Sequence, residues 1–299
     1  MTKRLLIHLC TKDRPTEVAL LLQSLRTQTF QDFNILLLED GSSTPLQSFY
    51  FIQYIIQRLK LEGHNVIMLR NEIASGVSEA RQTLVDYHLK NCKELLSARL
   101  DDDVILEPDY LEKLISVIDN GYDIASGVTT PFVGPDMKRS IKNVEPIIGY
   151  CKLDENGKLI FMGDDCGIGY VEDKILISPH FRSCAIIKRE VFEKDVNYKS
   201  RLSKNGFLEE AIFSFKAILA GFKIGVRTGA NALHLMTPSG GERNTMNMTG
   251  FNKQVFEDTV KRMWEDNGDF ISDYYKRNGV EPRELDKDEY LKMTNLVKI

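Results

Sequence analysis

Apolar runs alternate with helically spaced apolar side chains along the first 105 residues or so of the chain. The continuous apolar run at 33–38 is typical of a strand buried on both faces of a parallel sheet. Val18, Leu21, Leu22 and Leu25 recur at the spacing of one helix face. Strands are predicted at about 4–10, 33–38, 65–69 and 95–100, and helices at about 16–26, 49–61, around 80–84 and after 108. Four strand–helix pairs in succession predict an α/β fold.

Each of these predicted strands ends in a polar loop, at the edge where open α/β sheets bind ligands. The first three loops offer Asp13 and Arg14, then Glu39 and Asp40, then Arg70 and Asn71. Carboxylates in such loops can accept hydrogen bonds from a base or a ribose, and arginines can bind phosphate. The first strand is followed neither by GxGxxG nor by GxxxxGK with Ser or Thr, which disfavours a dinucleotide site and a P-loop.

Three carboxylates, Asp101, Asp102 and Asp103, end the fourth predicted strand. Because side chains alternate along a strand, we expect Asp101 and Asp103 to point one way and Asp102 the other. Two carboxylates in that arrangement suit a hard divalent cation such as Mg²⁺ or Mn²⁺. A solvated acidic loop or a helix N-cap would account for the three aspartates equally well.

Regularity drops after a fifth predicted strand at 121–127. Short strands are predicted at 147–151 and 159–162, with Asn156-Gly157 between them as a hairpin turn. We interpret Asp164-Asp165 as a solvated loop rather than a second acidic site. Residues 183–192 predict a strand that runs into a helix.

Glu209 and Glu210 open an apolar helical pattern, where the helix macrodipole stabilises negative charge. That role alone would explain both residues. His234 ends a predicted strand before a Gly-Gly loop. A lone histidine at such a position usually only marks the end of the strand, although imidazole is also a ligand for Mn²⁺. The helical stretch at 251–276 carries apolar residues that we interpret as part of the core. An interface is the alternative interpretation of the same residues.

The chain has 299 residues, 42% hydrophobic and 27% charged, with a formal net charge of −4. This mildly acidic balance argues against nucleic-acid binding, which favours a basic surface. No apolar stretch reaches the ~18 residues of a membrane span, and the apolar segment at the N-terminus is too short for a secretory signal.

The five cysteines are odd in number and scattered, which indicates free thiols and disfavours a zinc site. We therefore expect a cytoplasmic protein, with a peripheral position at a membrane surface left open.

Five segments, in this order, resemble those of the family 2 glycosyltransferases, which have the GT-A fold. They are Thr11…Arg14-Pro15, Ser24-Leu25…Gln28-Thr29, Glu39-Asp40-Gly41-Ser42, Asn71…Gly76…Ala80-Arg81 and Leu100-Asp101-Asp102-Asp103…Pro108…Leu111. The family segments read TYNRP, SLxxQT, DDGS, NxGxxxARN and LDxDD followed by proline. This chain departs from them at Glu39, where Asp is usual, and at Val104, where a fourth acidic residue is frequent.

The resemblance implies a Rossmann-like mixed sheet flanked by helices. It implies a catalytic domain at 1–245, with a nucleotide-sugar-binding half at 1–127 and an acceptor half at 128–245. Residues 246–299 would then form a C-terminal helical extension.

The resemblance also implies roles for individual residues. Asp101 and Asp103 would form the DXD pair around a metal–diphosphate, with His234 as the third metal ligand. Glu210 matches the catalytic base of inverting members, with Glu209 beside it and Glu in place of the usual Asp. The residues implied in nucleotide-sugar binding are Thr11, Asp13, Arg14, Glu39, Asp40, Asn71, Gly76, Arg81, Asp101, Asp102 and Arg243.

Together these features predict a metal-dependent, inverting glycosyltransferase that uses Mn²⁺ or Mg²⁺ and a nucleoside-diphosphate sugar, with uridine as the family's usual base. The acceptor hydroxyl could belong to a glycan, a lipid-linked sugar or a protein. A homo-oligomer is compatible with the sequence. A nucleotidyltransferase is one alternative, although its glycine-rich first loop is absent from 11–15. A non-catalytic binder of nucleotide-sugars or glycans is the other, and it would tolerate loss of Glu210.

Overall fold

The computed structural model describes residues 3–131, 150–153, 159–162, 173–181, 183–242 and 248–280. Its strands are β1 Leu5–Thr11, β2 Phe33–Asp40, β3 Val66–Asn71, β4 Leu96–Leu100, β5 Val104–Leu106, β6 Ile124–Pro131, β7 Tyr150–Leu153, β8 Leu159–Met162, β9 Ile175–Ile177, β10 Ala185–Lys188 and β11 Ile224–His234. Its helices are α1 Pro15–Arg26, α2 Tyr50–Leu61, α3 Val77–Asn91, α4 Tyr110–Asp119, α5 Arg189–Glu193, α6 Glu209–Leu219, α7 Thr249–Asn267 and α8 Phe270–Arg277, with a 3₁₀ turn at Leu46–Ser48. The predicted α/β fold is confirmed.

Nine of the described strands form one mixed sheet in the order β3-β2-β1-β4-β10-β6-β11-β5, with β9 paired to β11. Strands β1 to β4 run parallel to one another. Strand β10 runs antiparallel to both β4 and β6, and β6 is parallel to β11. The carboxyl ends of β1 to β4 therefore share one edge, as expected for an open α/β sheet.

Strands β5 and β9 are elements that the sequence pattern did not predict, and β5 is the one next to the aspartates. It follows the triple-aspartate turn directly and pairs antiparallel with the end of β11, so that Val104 lies opposite His234. Because β4, the turn and β5 are continuous in the chain, this pairing brings the end of β11 to the aspartates.

Helices cover both faces of the parallel part of the sheet, so side chains that alternate between the two faces are all buried. Leu5, Ile7 and Leu9 of β1 pack in the core with α1, α2 and α4. Leu6 of the same strand packs in a separate cluster with Leu84 of α3. A strand between two helical layers has no polar face, which explains the continuous apolar runs.

The C-terminal helices pack against α6 and its neighbours. Phe256 of α7 and Phe270 and Tyr274 of α8 are buried in one cluster with α6. The Tyr274 hydroxyl accepts a hydrogen bond from the Ile224 amide at 2.9 Å and donates to the Ile224 carbonyl at 3.1 Å. The interpretation of these apolar residues as core is confirmed, but the helical stretch is divided at Gly268, whose φ is 66°.

Some predictions fall outside the described residues: the turn at Asn156-Gly157, the Asp164-Asp165 pair and Arg243. The strand predicted at 147–151 is present from Tyr150 as β7, which pairs with β8. Among the described helices, none combines the length and apolar character needed to cross a membrane.

Candidate functional site

A cavity of about 440 Å³ opens where the carboxyl ends of β1 and β4 meet the end of β11. It brings together most of the side chains singled out from the sequence. The predicted site residues in its lining are Thr11, Arg14, Asp40, Arg81, Asp101, Asp102, Asp103, Glu210 and His234. Residues from 1–127 and from 128–245 therefore share one site.

The three aspartates lie in a turn, because β4 ends at Leu100. The expected alternation of their side chains is wrong for this reason. Arg14 Nη1 lies 2.7 Å from Asp102 Oδ1 and 3.3 Å from Asp103 Oδ2, so these two neighbours share one guanidinium. Asp101 instead accepts a hydrogen bond from Arg81 Nη2 at 2.5 Å.

Arg14 joins the loop after β1 to the loop after β11. It donates from Nε to the Ser239 carbonyl at 3.0 Å and from Nη2 to the Thr237 carbonyl at 3.2 Å. The other oxygen of Asp102 accepts from Thr11 Oγ1 at 2.7 Å. Asp102 is therefore fully engaged with protein groups; burial raises its pKa even though Arg14 opposes that rise.

A buried charge network lies beneath the aspartate turn. Glu209 Oε1 is 2.6 Å from Arg99 Nη2 and 2.9 Å from Arg81 Nε. Burial raises the pKa of Glu209, against the attraction of Arg99 and Arg81. Burial likewise opposes ionisation of Asp101, but Arg81 and Arg99 together hold the pKa of Asp101 below its ordinary value. Each member needs its oppositely charged neighbours to remain buried.

Glu210 differs from Glu209 in its surroundings. The two residues open α6, and consecutive helical side chains point about 100° apart. Both line the cavity, but the Glu209 side chain is buried against Arg81 and Arg99. The Glu210 side chain is half-buried. Within the described parts of the chain, no group forms a hydrogen bond or ion pair with its carboxylate, which leaves that carboxylate available to a ligand.

Asp40 organises the loop between β3 and α3. Its carboxylate accepts hydrogen bonds from Asn71 Nδ2 at 2.8 Å, from the Ser75 amide at 3.0 Å and hydroxyl at 2.9 Å, and from the Gly76 amide at 3.0 Å. Gly76 has a φ of 99° and precedes the first residue of α3, as its left-handed conformation allows. Asp40 lines the cavity, whereas Asn71 and Gly76 do not.

Two other predicted binding residues also hold loops and lie away from the cavity lining. Glu39 Oε2 is 2.6 Å from Arg70 Nη1, and Glu39 Oε1 accepts from the Leu46 amide at 2.8 Å. Asp13 Oδ1 accepts from the Ser43 amide at 2.7 Å. Both carboxylates therefore shape the edge of the site.

Strained backbone clusters around the cavity. Five described non-glycine residues have a positive φ, among them Ser183 at 50° and Met236 at 51°, which both line the cavity. Asp13 and Leu208 directly adjoin lining residues. Each such conformation costs about 1–3 kcal/mol and tends to occur at functional sites.

Several lining residues could not be predicted from the sequence. Ser183 lines the cavity and helps to lower the pKa of Asp101, yet nothing in its sequence context indicates this. Arg99 could have been suspected, because an arginine inside an apolar strand needs a buried partner. Phe207 and Met236 also line the cavity, and neither belongs to a recognisable motif.

The donor set suits a divalent cation in part. His234 Nε2 lies 3.0 Å from Asp103 Oδ1, close to the spacing of adjacent ligand atoms around a cation with bonds of about 2.1 Å. Among the described residues, no group of three or more His, Cys, Asp or Glu side chains is arranged to hold a metal ion. The pair therefore fits a cation that takes its other ligands from water and phosphate, as Mg²⁺ commonly does.

Solved structures with a similar fold are glycosyltransferases of the GT-A type. The structure of GalNAc-T7 with UDP, GalNAc and Mn²⁺ aligns with a TM-score of 0.54 and 14% identity, over 78% of this chain and 43% of that one. Residues 1–349 of TarS from S. aureus align with a TM-score of 0.54 and 15% identity, over 89% of this chain and 73% of that one. The chain thus spans less than half the length of the GalNAc-T7 chain. These likenesses show the fold.

The sequence comparisons address the family. No curated protein is significantly similar in sequence. The model for glycosyl transferase family 2 matches residues 6–196, more than half of the 299 residues. The chain therefore belongs to glycosyltransferase family 2 and has the GT-A fold.

Proposed function

We propose that the protein is a metal-dependent, inverting glycosyltransferase that moves a sugar from a nucleoside-diphosphate sugar to an acceptor hydroxyl. One observation carries the proposal: a single cavity holds the Asp103–His234 pair and the Glu210 carboxylate, which no described group engages. Donor-side and acceptor-side chemistry need such a juxtaposition. The division at residue 127 into donor and acceptor halves, and the C-terminal extension from 246, belong to the same proposal.

Asp103 and His234 would hold the cation, with Asp101 beside them. When bound, Mn²⁺ or Mg²⁺ offsets negative charge on the departing diphosphate. Arg14 keeps the Asp102 and Asp103 side chains in place. A UDP-sugar is the favoured donor, and the similar fold of GalNAc-T7, crystallised with UDP and Mn²⁺, supports it.

Glu210 would act as the general base. Its carboxylate would take the proton of the acceptor hydroxyl while that oxygen attacks the anomeric carbon on the face opposite the leaving diphosphate. Such a base contributes roughly 10²–10⁴-fold to the rate. Glu209 is poorly suited to this role, because both Arg81 and Arg99 hold its carboxylate in a buried position.

Calorimetric titration of UDP, GDP and dTDP with and without Mn²⁺ tests the donor site. We expect one nucleotide to bind the wild-type protein in a metal-dependent manner, and Asp103→Ala to lose that binding. Failure of all three nucleotides to bind with metal present would overturn the proposal.

Glu210→Gln tests the base. It should abolish transfer, measured as release of nucleoside diphosphate, while nucleotide affinity stays near that of the wild type. Glu190→Gln is the matched control, since Glu190 is exposed in the first turn of α5, away from the cavity lining. Release of pyrophosphate instead would indicate a nucleotidyltransferase, and near-normal turnover of Glu210→Gln would place the base elsewhere.

A further inference from the structure

Two large, exposed apolar side chains lie on the wall of a cavity that charged side chains also line. Phe207 is 42% exposed and Met236 is 45% exposed, and both line the cavity. Large apolar side chains left exposed beside a few polar groups in a cavity are characteristic of a binding surface. The roles proposed for Asp103, His234 and Glu210 use neither side chain.

Phe207 lies three positions before Glu210 on the loop that leads into α6. The Phe207 amide donates to Asn205 Oδ1 at 3.0 Å. Asn252 of α7, which is fully buried, donates from Nδ2 to the same Asn205 oxygen at 2.5 Å, and its Oδ1 accepts from the Ser203 amide at 2.7 Å. Asn252 of α7 thus holds the backbone of the loop, while the Phe207 ring remains exposed.

The backbone on both sides of Phe207 is left-handed, with a φ of 63° at Gly206 and 74° at Leu208. A Cβ at Gly206 would lie 2.8 Å from Val77 Cβ, so a larger residue cannot occupy this position without displacing its neighbour. Met236 also has a positive φ, of 51°. These conformations hold both apolar side chains in the cavity wall at a cost in backbone strain, as is common at binding sites.

The charge of the lining restricts the ligand. Seven carboxylate side chains and four lysine or arginine side chains line the cavity among the described residues. A polyanionic ligand next to Glu209 and Glu210 would meet like charge, which is unfavourable. The face of the Phe207 ring is apolar and carries partial negative charge. It therefore suits the C–H face of a neutral sugar ring, whose hydroxyls can bind the neighbouring polar groups.

We propose that Phe207 and Met236 form the acceptor subsite and bind a neutral glycan through the C–H face of one sugar ring. Phe207 provides the platform, and its place in the chain next to Glu210 directs a hydroxyl of that ring toward the base. This inference rests on the proposed function and adds the chemical class of its acceptor.

Phe207→Trp gives a direct reporter of binding. The chain has one native tryptophan, Trp264, so the new indole adds a distinct emission signal at the cavity. The variant, saturated with UDP and Mn²⁺, is titrated with maltose, cellobiose, lactose and chitobiose, and with hyaluronan as the anionic glycan. We expect a saturable emission change with at least one neutral disaccharide and none with hyaluronan.

The matched control is Phe251→Trp, because Phe251 is 48% exposed but lies outside the cavity lining. It should show no change with any of the sugars. The proposal is overturned if none of the four disaccharides alters the Phe207→Trp emission, if only hyaluronan does so, or if the Phe251→Trp emission changes equally.

Transfer kinetics with the disaccharide that gives the emission change provide the second readout. Phe207→Ala should raise the acceptor KM about tenfold, Phe207→Tyr should restore it, and Phe251→Ala should leave it unchanged. An unaltered acceptor KM in Phe207→Ala would overturn the subsite. The two proposals fail separately. Failure of UDP, GDP and dTDP alike to bind the wild type refutes the proposed function, whereas normal nucleotide binding without any Phe207 effect refutes the subsite alone.

Discussion

The His234 imidazole lies 3.0 Å from the Asp103 carboxylate, although 131 positions of the chain separate the two residues. The contact exists because β5 turns the chain back after the aspartates and pairs with the end of β11. The Thr237 amide, 3.2 Å from the other Asp103 oxygen, holds the carboxylate from the same side. The position of His234 relative to Asp103 is therefore set by the pairing of β5 with β11.

This relationship predicts that His234→Ala weakens metal-dependent nucleotide binding. We expect the affinity for UDP in the presence of Mn²⁺ to fall about tenfold or more, as when a group that holds a metal is removed. The affinity for UDP without metal should not change, and that measurement in the same calorimeter is the control. A variant that keeps its full response to Mn²⁺ would show that His234 is not a ligand.

The parallel part of the fold could be predicted because its signals are local. The apolar runs of β1, β2 and β4 are buried on both faces, so each strand is visible without knowledge of its neighbours. The polar residues at their ends then fall at one edge by topology alone. Thr11, Arg14 and the three aspartates could therefore be assigned to a common site from the sequence.

The remaining features depend on partners distant in the chain. Strand β5 has three residues and exists through its pairing with β11. Arg99 lies in a strand, and its buried position depends on Glu209, 110 positions away. Asp101, Asp102 and Asp103 lie in a turn beyond the end of β4 at Leu100, so the alternation of side chains along a strand does not extend to them.

The two neighbouring glutamates should differ in their effect on stability. Glu209→Ala leaves Arg81 and Arg99 buried without their shared carboxylate, and we expect a loss of about 3–5 kcal/mol in the free energy of unfolding. Glu210→Ala removes a half-buried side chain that no described group engages, and should cost less than about 1 kcal/mol. Denaturant unfolding of both variants measures the difference; equal losses would contradict the network as described.

A buried histidine pair should make the fold sensitive to mild acid. His8 Nε2 lies 3.1 Å from His88 Nδ1, and His88 Nε2 lies 3.0 Å from the Glu94 carbonyl. The carbonyl can only accept, so His88 carries its proton on Nε2 and accepts from His8. A second proton on His88 would face the His8 N–H.

Burial lowers the pKa of both residues, assisted at His8 by His88 and Arg81. The unfolded chain therefore binds protons first as the pH falls, beginning near the ordinary histidine pKa of about 6.5. The stabilisation is complete above that pH and is lost as the pH decreases below it. We expect the urea midpoint to fall between pH 7.5 and pH 5, and to fall less in His88→Gln; an equal decrease in both proteins would exclude the pair as the cause.

Gly41 should be far less tolerant of substitution than Gly63, although both have a positive φ, of 72° and 93°. A Cβ at Gly63 would meet nothing within 4 Å, whereas one at Gly41 would lie 2.3 Å from the Ala74 amide nitrogen. Gly63→Ala should therefore cost only the left-handed backbone term of about 1–2 kcal/mol. Gly41→Ala should cost about 1–3 kcal/mol more, because a backbone neighbour must move.

The substitution at Gly41 should also affect ligand binding. The loop that contains Ala74 is the one that Asp40 holds through the amides of Ser75 and Gly76, and Asp40 lines the cavity. Displacing Ala74 moves the hydrogen-bonding groups around Asp40 at this edge of the site. Gly41→Ala should therefore weaken nucleotide binding under conditions where the variant is still folded. Gly63 does not line the cavity, so Gly63→Ala should bind nucleotide as the wild type does. Unfolding curves and calorimetry on the two variants give both comparisons, and equal nucleotide affinity in Gly41→Ala would show that this loop does not contact the donor.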